Sequence, residues 1–237
     1  MGETGSTNAD LLAAARQGQE SGVVLVADYQ RAGRGRRGRS WGATPGSSLL
    51  FSVLLRPRLG PHDSHLVTTA LALAAVEACD ALAGVRPGLK WPNDLVVGDR
   101  KLAGVLAESV VVGERLEAVV VGMGLNVLAG AAPPEAAAIA IALEEVCGFA
   151  LQREALLAAI LPGLSRWMDA VPERGGRLAL VEAARSESVT VGQMVSVRMA
   201  DGVVLEGLAE DLDEGGGLVL RGGKRVVVGD VVNLRSD

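Results

Sequence analysis

The sequence predicts an α+β fold: a mixed but mainly antiparallel sheet that carries helices, followed by a small C-terminal β-barrel of the SH3-like type. Apolar runs of strand length alternate with helical stretches up to about residue 187. Short turns join several of these strands, which favours antiparallel pairing. After residue 187 the chain changes to short β runs separated by glycine turns. We therefore expect a larger domain over residues 1–187 and a smaller one over residues 188–237.

The elements of the larger domain follow from periodicity and turn residues. A helix is expected over residues 9–17, with Thr7 and Asp10 at capping-box spacing. Strands are expected over residues 23–27 and 49–55, and a long apolar helix over residues 63–83. Further strands over residues 95–97, 102–112 and 116–122 are separated by short turns, which indicates an antiparallel meander. Residues 151–169 have the single apolar stripe of an amphipathic helix.

The smaller domain is recognised by its closely spaced short runs. Strands are expected over residues 194–199, 203–208, 218–220 and 225–228, with turn residues at 201–202, 215–217 and 222–223. Such a series of short strands is typical of a small barrel.

Composition excludes several classes of protein. The chain has 237 residues, of which 49% are hydrophobic and 22% charged, as in soluble globular proteins. Its two cysteines, Cys79 and Cys147, are far apart, which excludes a disulfide framework and a zinc cluster. The chain start has no signal-peptide pattern, and no uncharged apolar run reaches the ~18 residues of a membrane span. We expect a cytoplasmic protein that does not associate with membranes.

Residues 33–41, here called the arginine loop, carry the strongest chemical signal. They read Gly-Arg-Gly-Arg-Arg-Gly-Arg-Ser-Trp in a chain whose net charge is -5. Glycines let backbone N–H groups approach phosphate oxygens, and guanidinium groups bind the same oxygens. Predicted core strands flank the loop, which argues against a disordered tail that binds nucleic acid. The loop is expected to close over an anion such as a nucleotide phosphate.

Three further segments contain residues suited to a site. In residues 90–94, Lys90 lies between apolar neighbours and needs an anionic partner, either Asp94 or a ligand. In residues 101–106, Lys101 opens a strand in which Gly104 leaves space above the backbone. Residues 122–126 have two glycines after an apolar strand but lack the third glycine of a dinucleotide fingerprint.

Each segment also has a purely structural interpretation. Residues 90–94 are compatible with a β-turn, Lys101 with a strand-edge lysine and Asn126 with a turn cap. Residues 6–8, Ser-Thr-Asn, are compatible with a helix cap or with binding of a neutral polar group that needs both donors and acceptors. These alternatives stay open for each segment taken alone.

Taken in order, the segments resemble the bacterial type of biotin protein ligase, also called biotin-[acetyl-CoA-carboxylase] ligase. The resemblance rests on residues 6–8, Gln30, 33–41, 90–94, 101–106, 122–126 and 234–236, and covers essentially the whole chain. It implies the class II synthetase-like fold for the larger domain. It also implies a reaction in two steps, in which ATP activates biotin to biotinyl-5'-AMP with loss of pyrophosphate, and biotin is then transferred to a lysine of an acceptor protein.

The resemblance implies a role for each matching residue. Biotin would be bound by Ser6, Thr7, Asn8, Gln30, Gly33, Arg34, Gly35, Arg36, Lys101, Gly104 and Leu106. ATP would be bound by Arg36, Arg37, Arg39, Trp41, Lys90, Asn126 and Arg235. Lys101 and Arg36 would be catalytic, because Lys101 would bridge the biotin carboxylate and the α-phosphate as charge develops. Mg²⁺ would accompany ATP on its phosphate oxygens, with its protein ligands unassigned.

The resemblance also implies partners and alternatives. The acceptor would be the biotin carboxyl carrier domain of acetyl-CoA carboxylase or of a related biotin-dependent carboxylase. Because the biotin motif begins at Ser6, we expect the monofunctional form, without an N-terminal DNA-binding domain and without DNA binding. An exposed sheet edge leaves a homodimer open. The runners-up are a lipoate or octanoate protein ligase of the same fold and a catalytically inactive biotin-binding protein.

Two departures from the family pattern concern local structure. A strand usually precedes the biotin motif, and the short stretch before Ser6 leaves its presence open. Residues 138–143 are wholly apolar, where many members have Thr-Ser before a helix.

Overall fold

The computed structural model describes residues 1–199, 201–227 and 229–233, and every structural statement below concerns these residues. The strands are β1 (Glu3–Thr4), β2 (Val24–Ala27), β3 (Tyr29–Gln30), β4 (Ser48–Leu55), β5 (Gly88–Lys90), β6 (Asp94–Val97), β7 (Arg100–Val112), β8 (Arg115–Asn126), β9 (Met194–Arg198), β10 (Val204–Leu212), β11 (Leu218–Leu220), β12 (Lys224–Val226) and β13 (Asp230–Asn233). The helices are α1 (Thr7–Arg16), α2 (His65–Ala83), α3 (Leu143–Cys147), α4 (Arg153–Ala170) and α5 (Arg174–Ser186).

The main sheet has six strands in the order β2-β4-β8-β7-β6-β5, and every neighbouring pair is antiparallel. This confirms the predicted fold class and the meander of β6, β7 and β8. β8 continues to Asn126, past its predicted end at residue 122. Gly122 and Gly124 therefore lie within a strand, which is incompatible with the strand-to-helix turn of a dinucleotide-binding motif.

The N-terminal segment contains the strand that precedes Ser6. β1 pairs in parallel with β3, with Thr4 opposite Gln30. Ser6 is the N-cap of α1, and its hydroxyl accepts a hydrogen bond from Ala9 N at 3.5 Å. The expected cap at Thr7 is wrong, because Thr7 is already helical and directs its hydroxyl towards the sheet.

Two apolar layers cover the two faces of the main sheet. On one face α2 packs against β7 and β8 and is covered in turn by α4 and α5, which buries Leu66 and Leu71 completely. On the other face Leu11 and Leu12 of α1 pack over Leu54 and Val120. Burial of one such side chain contributes about 1.5–3 kcal/mol. Alternate residues of a strand lie on the same face of a sheet, so Gly122 and Gly124 are on the face that α1 covers, together with Val120. At these two glycines the face extends past the first residue of α1.

The long apolar helix is a core element. The stretch Pro61–Ala83 is long and apolar enough to cross a membrane, but 72% of its most apolar window is buried inside the protein. A core helix passes the same test of length and composition, so this stretch is weak grounds for a membrane span.

The C-terminal strands form a five-stranded antiparallel sheet in the order β12-β11-β10-β9-β13. β12 and β13 are its edges, so the described strands form an open sheet, and the predicted closure into an SH3-like barrel stays a prediction. The predicted domain boundary at residue 187 falls between α5 and β9 and also stays a prediction. Val189 N donates to Leu89 O at 2.9 Å, which joins this segment to β5 of the main sheet.

Candidate functional site

A cavity of about 110 Å³ lies on the α1 face of the main sheet, beside the N-terminus of α1. The paired glycines of β7 and β8 provide its floor, since Gly104 is opposite Gly124 and Leu106 is opposite Gly122. Most residues assigned to biotin line it, namely Ser6, Thr7, Asn8, Gln30, Arg34, Gly35, Arg36, Lys101, Gly104 and Leu106. Of the residues assigned to ATP, Arg36, Arg39 and Trp41 line it.

One end of the cavity is a buried group of neutral polar side chains. Gln30 Oε1 accepts from Thr7 N at 2.8 Å and from Thr7 Oγ1 at 3.1 Å. Thr7 Oγ1 is 2.7 Å from Ser52 Oγ, and Ser52 Oγ donates to Asn8 Oδ1 at 2.6 Å. Thr7, Asn8 and Ser52 are all buried. These amides and hydroxyls present both donors and acceptors within an apolar surrounding, as recognition of a neutral polar ligand requires.

Asn8 connects this group to the arginine loop. Its Nδ2 donates to Leu106 O at 3.2 Å and to Glu108 Oε2 at 3.0 Å, and Glu108 Oε1 accepts from Arg34 Nη1 at 3.1 Å. Both amide hydrogens of Asn8 therefore have acceptors within the protein. Gly122 makes this arrangement feasible, because a Cβ at that position would collide with Asn8 Oδ1.

The arginine loop folds back on itself beside the cavity. Trp41 N donates to Gly33 O at 2.9 Å and Gly35 N to Arg39 O at 2.7 Å, which closes the loop like a hairpin. A Cβ at Gly33 would collide with Trp41 O, so the closure requires glycine there. Arg37 has a φ of 54°, in the left-handed region that non-glycine residues seldom adopt. Contacts outside the loop must therefore hold it in this conformation.

Arg36 provides two of those contacts. Its Nη1 donates to Asn93 Oδ1 and to Gly229 O, both at 3.2 Å. Burial lowers the pKa of Arg36, Asp230 opposes that shift, and the neighbouring charges of Arg37 and Arg39 lower the pKa further. An arginine remains cationic after such a shift, and its charge is poorly shielded by water. Arg36 is therefore suited to binding an anion in the cavity.

Lys101 lies at the other end of the cavity, beside Trp41. Its Nζ is 2.7 Å from Asp94 Oδ1, without the alignment of a hydrogen bond, and 5.4 Å from the centroid of the Trp41 ring. The Trp41 indole packs over Gly104 and Gly124, and its buried N–H has no acceptor among the described residues. An anion bound here, next to Arg36, would thus be within range of the Lys101 ammonium group and of the Trp41 indole N–H.

Four residues assigned to the site do not line the cavity. Lys90 makes no ion pair within the described residues, and Asp94 pairs with Lys101 instead. Asn126 is buried, accepts from Ser48 Oγ at 3.3 Å and donates to Ile141 O at 3.2 Å. Gly33 shapes the arginine loop, and Arg37 pairs with Asp230. The roles of these four towards ligands stay predictions; Arg235 lies outside the described residues.

Ser52, Glu108 and Asp230 were not predicted as site residues, and Asn93 and Gly122 were placed in candidate segments without a role of their own. A buried serine on an apolar strand, such as Ser52, is the one signal that could have been used, because a buried hydroxyl needs partners. Groups of three or more His, Cys, Asp or Glu that could hold a metal ion do not occur in the described residues.

Comparison with known proteins gives concordant results. Residues 4–126 match the Biotin/lipoate A/B protein ligase family. The chain is 40% identical to the biotin--[acetyl-CoA-carboxylase] ligase of Mycobacterium tuberculosis, over 99% of this chain and 88% of that protein. It is 32% identical to the enzyme of the same name from Paracoccus denitrificans, over 96% of each chain. The structure of a biotin protein ligase from Aquifex aeolicus in complex with biotin and ATP is similar, with a TM-score of 0.83 and 28% identity over 100% of this chain and 97% of that one.

Proposed function

The chain belongs to the Biotin/lipoate A/B protein ligase family, and from that premise we infer that it acts as a biotin protein ligase, using ATP to activate biotin and an acceptor lysine to receive it. The observation that carries this function is that one cavity joins a neutral polar end to a cationic end. Biotin has the same two ends, a cyclic urea and a carboxylate.

The polar end suits the biotin head group. Thr7, Gln30 and Ser52 offer hydroxyl and amide groups that can exchange hydrogen bonds with a urea carbonyl and its N–H groups. Asn8 holds Ser52 and Glu108 in place from the side. Leu106, on the strand that crosses the floor, supplies apolar contact for the ring and the valeryl chain.

The cationic end suits the reacting groups. In the first step a carboxylate oxygen of biotin attacks the α-phosphorus of ATP, an O–P bond forms, and pyrophosphate leaves with the electrons of the broken P–O bond. Two anions must approach each other, so preorganised positive charge lowers the barrier. Lys101 and Arg36 are both at this end, and Trp41 offers a flat face beside them for the adenine ring.

The second step forms an amide bond. The uncharged Nζ of the acceptor lysine attacks the acyl carbon of biotinyl-5'-AMP, the lysine loses a proton, and AMP leaves. Because water would hydrolyse the same anhydride, the arginine loop should cover the intermediate until the acceptor arrives. Its closure through Gly33 and Gly35 supports this role.

Mg²⁺ fits this reaction as a companion of ATP. The described residues contain no cluster of carboxylates or histidines that would hold the ion alone, so the nucleotide phosphates would be its main ligands. The ion would supply charge stabilisation to the phosphates.

The relatives named above act on acetyl-CoA carboxylase, so we assign the biotin carboxyl carrier domain of that enzyme, or of a related carboxylase, as the acceptor. On one edge of β7, β6 pairs up to Gly104 and Asn93 hydrogen-bonds both backbone groups of Val105. From residue 106 to Val112 this edge has no partner strand among the described residues. An unpaired strand edge can dock a second sheet, whether that of an acceptor or of a second copy of this chain.

The decisive experiment is biotin-dependent exchange of labelled pyrophosphate into ATP, followed by transfer of labelled biotin to a purified carrier domain. We expect exchange with biotin and none above background with lipoate or octanoate. Exchange that prefers lipoate or octanoate would reassign the substrate within the family. Biotin binding without exchange would identify an inactive biotin-binding protein.

A further inference from the structure

One carboxylate of the small C-terminal sheet contacts three arginines of the arginine loop. Asp230 Oδ1 is 2.9 Å from Arg39 Nη2 and 3.9 Å from Arg36 Nη1, and Asp230 Oδ2 is 3.3 Å from Arg37 Nη1. We propose that Asp230 is a positioning residue for adenylation: as the shared counter-ion of Arg36, Arg37 and Arg39, it holds the loop in the arrangement that the nucleotide phosphates need. This inference rests on the proposed function.

The three guanidinium groups require a counter-ion to stay together. Three positive charges that contact one carboxylate repel each other, and the repulsion is strong where the side chains are shielded from water. Arg36 and Arg37 expose only 18% and 26% of their side chains, and Asp230 exposes 27%. The pairs of Asp230 with Arg36 and Arg37 are therefore screened less by salt than its pair with Arg39, whose side chain is 63% exposed. The left-handed backbone of Arg37 is unfavourable as well, so the loop depends on outside contacts.

Asp230 acts on the cavity through the arginines. Arg36 and Arg39 line the cavity, whereas Asp230 does not. The four side chains carry three positive charges and one negative charge, which leaves two positive charges for an anion. Asp230 therefore gathers the arginines without neutralising them, and the phosphates can bind on the side that faces the cavity.

The position of Asp230 is fixed by the C-terminal sheet. Asp230 is the first residue of β13 and is paired with Arg198 of β9. The preceding residue, Gly229, accepts a hydrogen bond from Arg36 through its carbonyl oxygen. A Cβ at Gly229 would collide with Val197, so glycine allows β13 to reach the loop at this point. The small domain thereby takes part in adenylation through one side chain and one carbonyl.

The test compares Asp230→Asn, Asp230→Glu and the matched control Glu206→Gln in the full-length protein. Glu206 is an exposed acid on β10 of the same sheet and forms no ion pair in the described residues. We expect Asp230→Asn to raise the KM for ATP in biotin-dependent pyrophosphate exchange about tenfold, the effect of losing one charged contact. The dissociation constant for biotin alone should change less than about threefold, because the biotin end keeps its own contacts. Asp230→Glu should restore most of the ATP affinity, and Glu206→Gln should match the wild type.

Three results would overturn this inference. The first is an unchanged or lowered KM for ATP in Asp230→Asn. The second is equal impairment in Asp230→Asn and Asp230→Glu, which would indicate a packing role alone. The third is a parallel loss of biotin and ATP affinity. The same experiment measures pyrophosphate exchange by the wild-type protein. If the proposed function is wrong, the wild type shows no biotin-dependent exchange, which is distinct from the three results above.

Discussion

Gly104 on β7 and Gly124 on β8 are directly paired, and the Trp41 indole lies across both of them. A Cβ at Gly124 would collide with the indole, and a Cβ at Gly104 would be 3.0 Å from its Cζ3. The two glycines thus create a flat place for an aromatic ring in the middle of a sheet. The surface over the two glycines lies between Lys101 and the polar end of the cavity, so the position of the Trp41 indole determines how much of the cavity a ligand can occupy.

Trp41 is expected to move when the substrates bind. The cavity of about 110 Å³ is smaller than the ~300 Å³ at the lower end of small-molecule sites, and the indole fills part of its floor. We expect biotin and ATP together to change the intrinsic tryptophan fluorescence. Trp41→Phe should remove most of this change, and Trp167→Phe on α4 should keep it. A full fluorescence change in Trp41→Phe would contradict the prediction.

Gly122→Ala should impair biotin binding selectively. The new methyl group would collide with Asn8 Oδ1 and lie 2.7 Å from Ser52 Oγ, so the polar group at that end must shift. We expect the KM for biotin to rise tenfold or more, on the order of the cost of one disrupted buried hydrogen bond, with a smaller effect on the KM for ATP. Gly175→Ala on α5 is the control, because a Cβ there meets open space. Equal effects of Gly122→Ala on both substrates would argue against a biotin-specific role.

Lys101→Ala should slow adenylation. Lys101 is the one lysine that lines the cavity, and removal of a preorganised charge near the reacting phosphorus costs about 10²- to 10³-fold in rate. Lys101→Arg should not restore the rate, because a planar guanidinium group cannot place its charge where the compact ammonium group of lysine does. Single-turnover formation of biotinyl-5'-AMP is the measurement, with the exposed Lys224→Ala as control. A wild-type rate in Lys101→Ala would remove Lys101 from the catalytic step.

The fold could be predicted where local patterns are strong. The meander of β6, β7 and β8 followed from apolar runs and their glycine turns, and α2 and α4 followed from long apolar periodicity. The short strands β1, β3 and β5 were not predicted, and neither was the 13-residue helix α5. β5 has three residues and β1 has two, and such strands exist because a neighbour pairs with them rather than because of their own composition.

The site could be predicted only in part, for a related reason. Residues in recognisable motifs, such as Thr7, Arg36 and Lys101, do meet at one cavity. Glu108 and Asp230 are ordinary acids in strands, and their importance comes from the arginines that the fold brings to them. Asp94 likewise forms its ion pair with Lys101 across β6 and β7, although Lys90 is directly opposite Asp94 on β5, so neither closeness in sequence nor strand register alone predicts the partner.

Arg36→Ala should release biotinyl-5'-AMP faster. Arg36 is the least exposed arginine of those paired with Asp230, and it connects the loop to Asn93 on the main domain and to Gly229 on the C-terminal sheet. Its loss removes a charge at the cationic end of the cavity and two of the contacts that anchor the loop, so we expect dissociation to accelerate about 10- to 100-fold. The measurement is a chase of enzyme-bound labelled adenylate with unlabelled adenylate. Arg31→Ala is the control, because Arg31 is 68% exposed and pairs with Glu3 outside the cavity. Equal release from wild type and Arg36→Ala would show that the loop retains the intermediate by other contacts.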